Sequence, residues 1–286
     1  MTLPSPDLVL STPPFGHVPL LDRLAPARAA GFDGISILPG DVWALEQTGM
    51  AASEIAARIA DAGLALMEMD CIACWLPAHH TRQDDSDLGK LLRSLTPERV
   101  IDTAARISAR SITVVEIMGL PPSLDEAASA FARLCDLAAP HGINVHIEFL
   151  PFGGIPDLAS GWAIVEAADR PNGGLTIDSW HLFRSGSSLD LLATLPGERI
   201  HTVQINDAPA VAQADMLEET MTGRLLPGQG SFDLVGLIHT LDGIGSTAPI
   251  SVEIFSQDNH TRPMTEVVGP WAGAARAILQ QARTAA

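Results

Sequence analysis

The sequence predicts an α/β chain folded as a single (β/α)8 TIM barrel over residues 1–286, and three observations carry that reading. Eight short runs rich in Val, Ile or Thr recur along the chain, and amphipathic runs of helical spacing separate most of them. No GxGxxG motif follows the first run, which disfavours an open dinucleotide-binding sheet. Alternating strands and helices mean a parallel sheet covered by its crossovers, and eight such units in 286 residues suit a closed barrel.

Taken in order, LVLST (8–12) leads into the helical pattern LLDRLAPARAAG, which stops at Gly31. GISIL (34–38) precedes SEIAARIADAG, which stops at Gly63 before LALMEMD (64–70). ERVIDTAARISA feeds SITVVEIM (111–118), and LDEAASAFARLCDLAAPHG ends at Gly142 just before NVHIEFL (144–150). DLASGWAIVEAAD precedes GLTID (174–178), followed by IHTVQIND (200–207), the helix FDLVGLIHTLDGIG, PISVEIFS (249–256) and the tail helix EVVGPWAGAARAILQQAR. Two connections are long, roughly 71–92 and 208–231. Both lie on the strand C-terminal side, where barrels of this kind place their chemistry.

Composition narrows the function. Hydrophobic residues make up 47%, which excludes a disordered chain. The net charge of −17, from 17 Lys+Arg against 34 Asp+Glu, argues against nucleic acid and against an anionic membrane as partners. The start MTLPSPDLVLST lacks a basic region and a long apolar region, and no run of about 18 apolar residues occurs. Cys71, Cys74 and Cys135 are too few and too uneven for a disulfide framework. A reducing, cytoplasmic compartment is the expectation.

Strand side chains alternate between faces with period two. In NVHIEFL, Val145, Ile147 and Phe149 oppose Asn144, His146 and Glu148; in GLTID, Leu175 and Ile177 oppose Thr176 and Asp178. In HTVQIND, Val203 and Ile205 oppose Thr202, Gln204 and Asn206; in ISVEIFS, Ile250, Val252 and Ile254 oppose Ser251, Glu253 and Phe255. The apolar face must meet the helices, so four consecutive strands aim Glu148, Asp178, Gln204 and Glu253 into one interior. Three carboxylates there raise one another's pKa unless a cation compensates them. The parity reading therefore places one divalent metal ion on Glu148, Asp178, Gln204 and Glu253. Hard oxygen donors favour Mn2+ or Mg2+ and tolerate Co2+ or Zn2+.

Other residues offer alternatives. Cys71 and Cys74 with His79 and His80 have half of a zinc pattern, or are plain loop residues. Glu68, Asp70 and Glu116 are read with inward parity, as pocket lining or as buried hydrogen-bonded acids. His146 is read as a lumen side chain, and Arg184 as a binder of an anionic substrate group or an exposed helix-start residue. Trp75 and Trp180 either stack on a substrate ring or close the barrel top. Asp207 either turns into the site or caps the next loop, and DDSD (84–87) reads as a solvated loop.

The runs HIEFLPFGG (146–154), LTIDSWHLFRSG (175–186), VQINDAP (203–209), RLLPGQGSFD (224–233) and ISVEIF (250–255) resemble the xylose-isomerase-like barrel superfamily. It contains sugar phosphate isomerases and epimerases, ketose 3-epimerases, inosose-processing enzymes, 3-dehydroshikimate dehydratases and endonuclease IV. The resemblance covers roughly residues 140–256 by motif and the N-terminal half by architecture. It implies a Glu–Asp–His–Glu metal site, which Glu148, Asp178 and Glu253 fit, whereas Gln204 stands where many members have His and resembles the dehydratase branch. It also implies that His181 contacts substrate near the metal and that Arg224 binds substrate oxygens or a carboxylate.

The chemistry so implied is a metal-dependent sugar isomerase or epimerase acting on a polyhydroxylated carbonyl compound. Glu148 or Glu253 takes a proton next to the carbonyl while His181 stabilises or relays charge. Substrate binding falls to His181, Arg224, Arg184 and Trp180. The alternatives are a lyase of the 3-dehydroshikimate dehydratase type and a non-catalytic barrel subunit. The endonuclease branch is disfavoured by the charge of −17. Homodimers are common among soluble enzymes, but no segment here specifies one.

Overall fold

Eight parallel strands close into a barrel in chain order: β1 Val9–Ser11, β2 Gly34–Ile37, β3 Ala65–Ile72, β4 Ser111–Val115, β5 Asn144–Glu148, β6 Gly173–Asp178, β7 Ile200–Ile205 and β8 Ile250–Val252. Pairing of β1 with both β2 and β8 completes the ring. This computed structural model describes residues 8–82 and 84–284. Residues 1–7, on which part of the signal-sequence reading rests, and residues 285–286 lie outside it. Every strand falls within one of the eight β-like runs, apart from one or two residues at its ends. Among the described residues no helix is long and apolar enough to cross a membrane.

The crossover helices form where the 3.6-residue pattern predicts them. Leu20–Ala29, Ala52–Asp61, Pro97–Arg106, Leu124–Ala138, Leu158–Ala168, Leu234–Gly243 and Met264–Thr284 correspond to the seven amphipathic runs. Leu124–Ala138 starts on a capping box, in which Ser123 Oγ accepts from Glu126 N while the Glu126 carboxylate reaches back to Ser123 N. The long connections are not bare loops. They contain Pro77–Thr81, Asp87–Ser94 and Met216–Thr222, short helices whose periodicity is too brief to read from the sequence. The DDSD stretch accordingly caps a helix, with Ser86 Oγ accepting from Gly89 N at 3.0 Å.

The strand faces divide as the alternation requires. Val145, Ile147, Leu175, Ile177, Val203 and Ile205 are buried against the helical layer in the main apolar core. Burying each such side chain contributes roughly 1.5–3 kcal/mol. The lumen is polar instead: Ser11, Ser36, Thr113, His146, Thr176, Thr202 and Ser251 are buried there with the site residues. Val9, Ala65 and Met67 form a small apolar cluster separate from the main core. A register step between β2 and β3 pairs Ile35 with Leu66 and Ser36 with Glu68, skipping Met67. That bulge lets Met67 and Glu68 both point inward, where Glu68 accepts from Thr113 Oγ1 and Thr202 Oγ1, each at 2.7 Å.

Candidate active site

The polar ends of four adjacent strands converge at the barrel mouth. Glu148 ends β5, Asp178 ends β6, Gln204 lies in β7, and Glu253 follows β8; all four are buried. Asp178 also starts the helix Ser179–Arg184, because its Oδ1 accepts from His181 N at 3.0 Å. A one-turn cap thus brings His181 back over the carboxylate that caps it. One donor atom each from Glu148, Asp178 and His181 lies within 4.8 Å of the others, a metal-ligating spacing among the described residues. His181 Nε2 stands 3.4 Å from Glu148 Oε1.

Asp178 and Glu253 meet through Arg224. Its Nη1 donates to Asp178 Oδ2 at 2.8 Å and to Glu253 Oε2 at 3.1 Å. Its Nη2 lies 3.3 Å from His181 Nε2 and donates to Thr220 Oγ1 at 2.8 Å. Glu253 Oε1 accepts from Ser11 Oγ at 2.7 Å and from Gln204 Nε2 at 3.3 Å. Asp178 Oδ2 accepts a further bond from Asn206 Nδ2 at 3.0 Å. Ser11 follows the inward parity of the first strand. A serine carries no charge to mark it as a site residue in the sequence.

Burial and like charge shape the electrostatics. Burial pushes the Glu148 carboxyl well above the usual carboxylate range, and Glu253, Asp70 and Asp178 add to it. Burial raises Glu253 to about 7, even with the Arg224 guanidinium beside it. Asp70 is also raised well above its ordinary value, first by burial and then by Glu253 and Glu68. His181 is lowered by burial to about 3 and is neutral. Glu148, Asp178 and Glu253 all act on the Arg224 guanidinium, and with Asp70 acting on Glu148 and Glu253 they carry a surplus of negative charge when all are ionised. Gln204 Oε1 is buried and accepts no hydrogen bond. An orphaned hard acceptor beside surplus carboxylates fits a divalent cation.

Not every expected residue joins this cluster. Arg184, expected at substrate, is tied to the loop instead: Nε donates to Glu219 Oε1 at 2.7 Å and Nη2 to Pro209 O at 2.7 Å. Trp180, expected to stack on substrate, has no exposed surface; its ring packs edge-on to His181 at 5.1 Å and its Nε1 donates to Glu219 Oε1 at 3.1 Å. Both were drawn away by one buried carboxylate, Glu219, which no local pattern singled out. Trp75 is likewise internal, with Nε1 donating to Val115 O at 2.8 Å.

The inward reading of Glu116 is also corrected. Thr113 is the β4 side chain that reaches Glu68, so Glu116 falls on the opposite parity. It faces His79 Nε2 at 3.1 Å and accepts from Met118 N at 3.0 Å and from Gly154 N. Gly153 and Gly154 are required there, because a Cβ on Gly153 would lie 2.1 Å from Glu116 O and one on Gly154 would lie 2.5 Å from Glu116 Oε2. Among the described residues the half-pattern of cysteines assembles no zinc site: Cys74 Sγ lies 3.7 Å from His80 Nδ1, while Cys71 sits beside Asp70 and Glu148. Burial and those acids push the Cys71 thiol up. Asp207 proves a loop cap, accepting from Gly228 N at 3.0 Å and Phe232 N at 3.1 Å. His146 is a lumen residue, its Nδ1 2.6 Å from Thr176 Oγ1.

Comparison with known proteins gives this architecture a context. The family described as xylose isomerase-like TIM barrel matches residues 24–281. A 3-dehydroshikimate dehydratase of Pseudomonas aeruginosa is 30% identical over 250 residues, covering 85% of this chain and 37% of the dehydratase. The chain thus spans little more than a third of that relative's length. An inosose isomerase of Bacillus velezensis is 30% identical over 144 residues, half of each chain. Among solved structures, the IolI protein with a bound zinc atom shares the fold, with a TM-score of 0.82 at 19% identity over 96% of this chain and 98% of that one.

Proposed function

The chain belongs to the xylose isomerase-like TIM barrel family, and on that premise we propose that it is a divalent-metal-dependent enzyme of the isomerase or epimerase type. Its substrate is a polyhydroxylated small molecule, and its reaction removes a proton next to the carbonyl. The observation that carries this reading is the gathering of Glu148, Asp178 and His181 at metal-ligating spacing, with Arg224 joining Asp178 to Glu253 and the Gln204 Oε1 left buried without a partner. Glu148, Asp178, Gln204 and Glu253 would hold the ion, with His181 at the same spacing as two of them. When bound, a divalent ion supplies Lewis-acid stabilisation of the oxygen charge that develops as the proton leaves.

The residues of the chain do the rest. A buried carboxylate whose proton affinity is raised toward neutrality is matched to taking a proton from carbon, and Glu253, at about 7, qualifies; Glu148, pushed well above the usual carboxylate range by burial and by neighbouring acids, is the second candidate. Neutral His181 presents Nε2 beside Glu148 Oε1, where it can pass or share that proton. Arg224, whose N–H groups are taken up by Asp178, Glu253, Thr220 and His181, holds the two carboxylates in place and sets a fixed positive charge at the mouth. The mouth is almost fully buried, which excludes water from the proton while it is held.

The fate of the proton distinguishes the products. Return to the other face gives epimerisation, and return to the neighbouring carbon gives isomerisation. Loss of a β-hydroxyl gives dehydration. The dehydratase reading is favoured by one observation, the 250-residue similarity to a 3-dehydroshikimate dehydratase. The deciding experiment incubates the Mn2+-loaded protein with a ketose panel, an inosose and 3-dehydroshikimate, following deuterium incorporation from solvent by NMR. Exchange or conversion of a ketose or the inosose supports the first reading, and conversion of 3-dehydroshikimate alone supports the second. No exchange with any of them, together with no Mn2+-dependent thermal shift, would leave only a ligand-binding barrel.

A further inference from the structure

We propose that Glu219 is a positioning residue for this reaction: its buried carboxylate clamps the segment that carries Arg224 onto the helix that carries His181. The proposal rests on the reading of the mouth as an active site. Glu219 has no exposed surface, yet it belongs to a short helix, Met216–Thr222, that buries only Glu219 and Thr220. Leu217 and Met221 of that helix are half exposed. Apolar packing therefore does little to hold the segment down, and a polar anchor is needed.

Glu219 supplies it with both oxygens. Oε1 accepts from Arg184 Nε at 2.7 Å and Trp180 Nε1 at 3.1 Å, both on the helix Ser179–Arg184, and Oε2 accepts from Gln213 N at 2.5 Å. The adjacent Thr220 grips the arginine of the mouth: Thr220 O accepts from Arg224 Nε at 3.1 Å and Thr220 Oγ1 from Nη2 at 2.8 Å. The chain of contacts runs from Arg184 and Trp180 through Glu219 to Thr220 and Arg224, and ends on Asp178 and Glu253. Two arginines have divided their work: Arg184 neutralises the clamp, which leaves Arg224 for the site.

Trypsin offers a direct test, because Arg224 has no other Lys or Arg between residues 200 and 261 for company. In Glu219→Gln, cleavage after Arg224 should accelerate at least tenfold while cleavage after exposed Arg82 stays unchanged. Arg184→Met, which removes the clamp's cation and leaves the carboxylate, should show the same selective rise and covers the case in which the Glu219 variant does not fold. On whichever panel compound the wild type converts, Glu219→Gln should lower kcat/KM at least tenfold. In an Arg224→Ala background the same substitution should change kcat/KM less than threefold, since its effect runs through the missing arginine. Unchanged protection after Arg224, or an undiminished loss in the Arg224→Ala background, would overturn the proposal. A wild type inactive on the whole panel would defeat the functional reading, and the proteolysis would still decide the clamp.

Discussion

Gln204 gives its Nε2 hydrogen to Glu253 Oε1 at 3.3 Å and leaves its own Oε1 buried without a partner. An amide oriented this way keeps a free oxygen beside the carboxylate it donates to, on the residue paired in register with Asp178. The arrangement is costly without an occupant, because a buried acceptor left unsatisfied loses about 1–3 kcal/mol.

The first prediction follows from that acceptor. Mn2+ at a hundredfold excess over its Kd should stabilise the protein by about 2.7 kcal/mol, and EDTA should reverse the gain. Gln204→Leu should leave the metal-free protein nearly as stable while reducing the Mn2+-dependent rise in Tm. Differential scanning calorimetry with and without Mn2+ measures both. An identical Mn2+ response in the variant would remove Gln204 from the ligand set.

Glu253→Gln keeps the shape of the side chain and its bond from Ser11 but removes the carboxylate. Turnover should fall by about 10²–10⁴-fold, the range for a general base. Mn2+ binding, followed by calorimetric titration, should weaken but persist. A variant with wild-type turnover would remove Glu253 from proton transfer and leave Glu148 in that role.

Stability of the metal-free protein should pass through a maximum in mildly acidic solution. Glu253 is raised from its ordinary 4.5 to about 7, so the folded state holds a proton that the unfolded chain releases; its contribution is present below pH 4.5 and lost as pH rises through about 7. His146, lowered by burial from 6.5 to about 3, works in the opposite direction: stability is lost as pH falls from 6.5 toward 3. Added Mn2+ should remove the alkaline decline, because it binds the deprotonated carboxylates. Thermal melts in EDTA and in Mn2+ across pH 4–8 test this. A metal-free Tm that climbs steadily up to pH 8 would contradict it.

Glu116 should matter for stability and not for the ion. Glu116→Ala leaves His79 Nε2, Met118 N and Gly154 N without their shared acceptor, at a cost of about 2–3 kcal/mol. Urea unfolding reads that loss, and the Mn2+ affinity of the folded variant should match the wild type.

The barrel was legible because its signals are local. Strand alternation in NVHIEFL, GLTID and HTVQIND separates core-facing from lumen-facing side chains without knowledge of any other segment. Parity therefore predicts that Glu148, Asp178, Gln204 and Glu253 share one lumen; the structure puts Glu148 and Asp178 at metal-ligating spacing, links Asp178 to Glu253 through Arg224, and bonds Gln204 to Glu253. It failed at Glu116, which lies beyond the end of β4 on the face opposite Thr113. It succeeded at Glu68 only because a bulge resets the register of β3.

The sequence by itself determined the number of strands, their order, the seven longer amphipathic helices that cover them and the facing of Glu148, Asp178, Gln204 and Glu253, since each depends on spacing along a few residues. Only the tertiary structure decided which cation serves which carboxylate. Arg184 and Arg224 are both arginines close to the mouth in the chain, yet Glu219 takes the first and Asp178 with Glu253 the second. Trp180 was decided in the same way, turned inward by a hydrogen bond to that same Glu219. The reason is physical: ion pairs and buried hydrogen bonds depend on distances between segments brought together by loops, and no periodicity in a loop encodes where it will land.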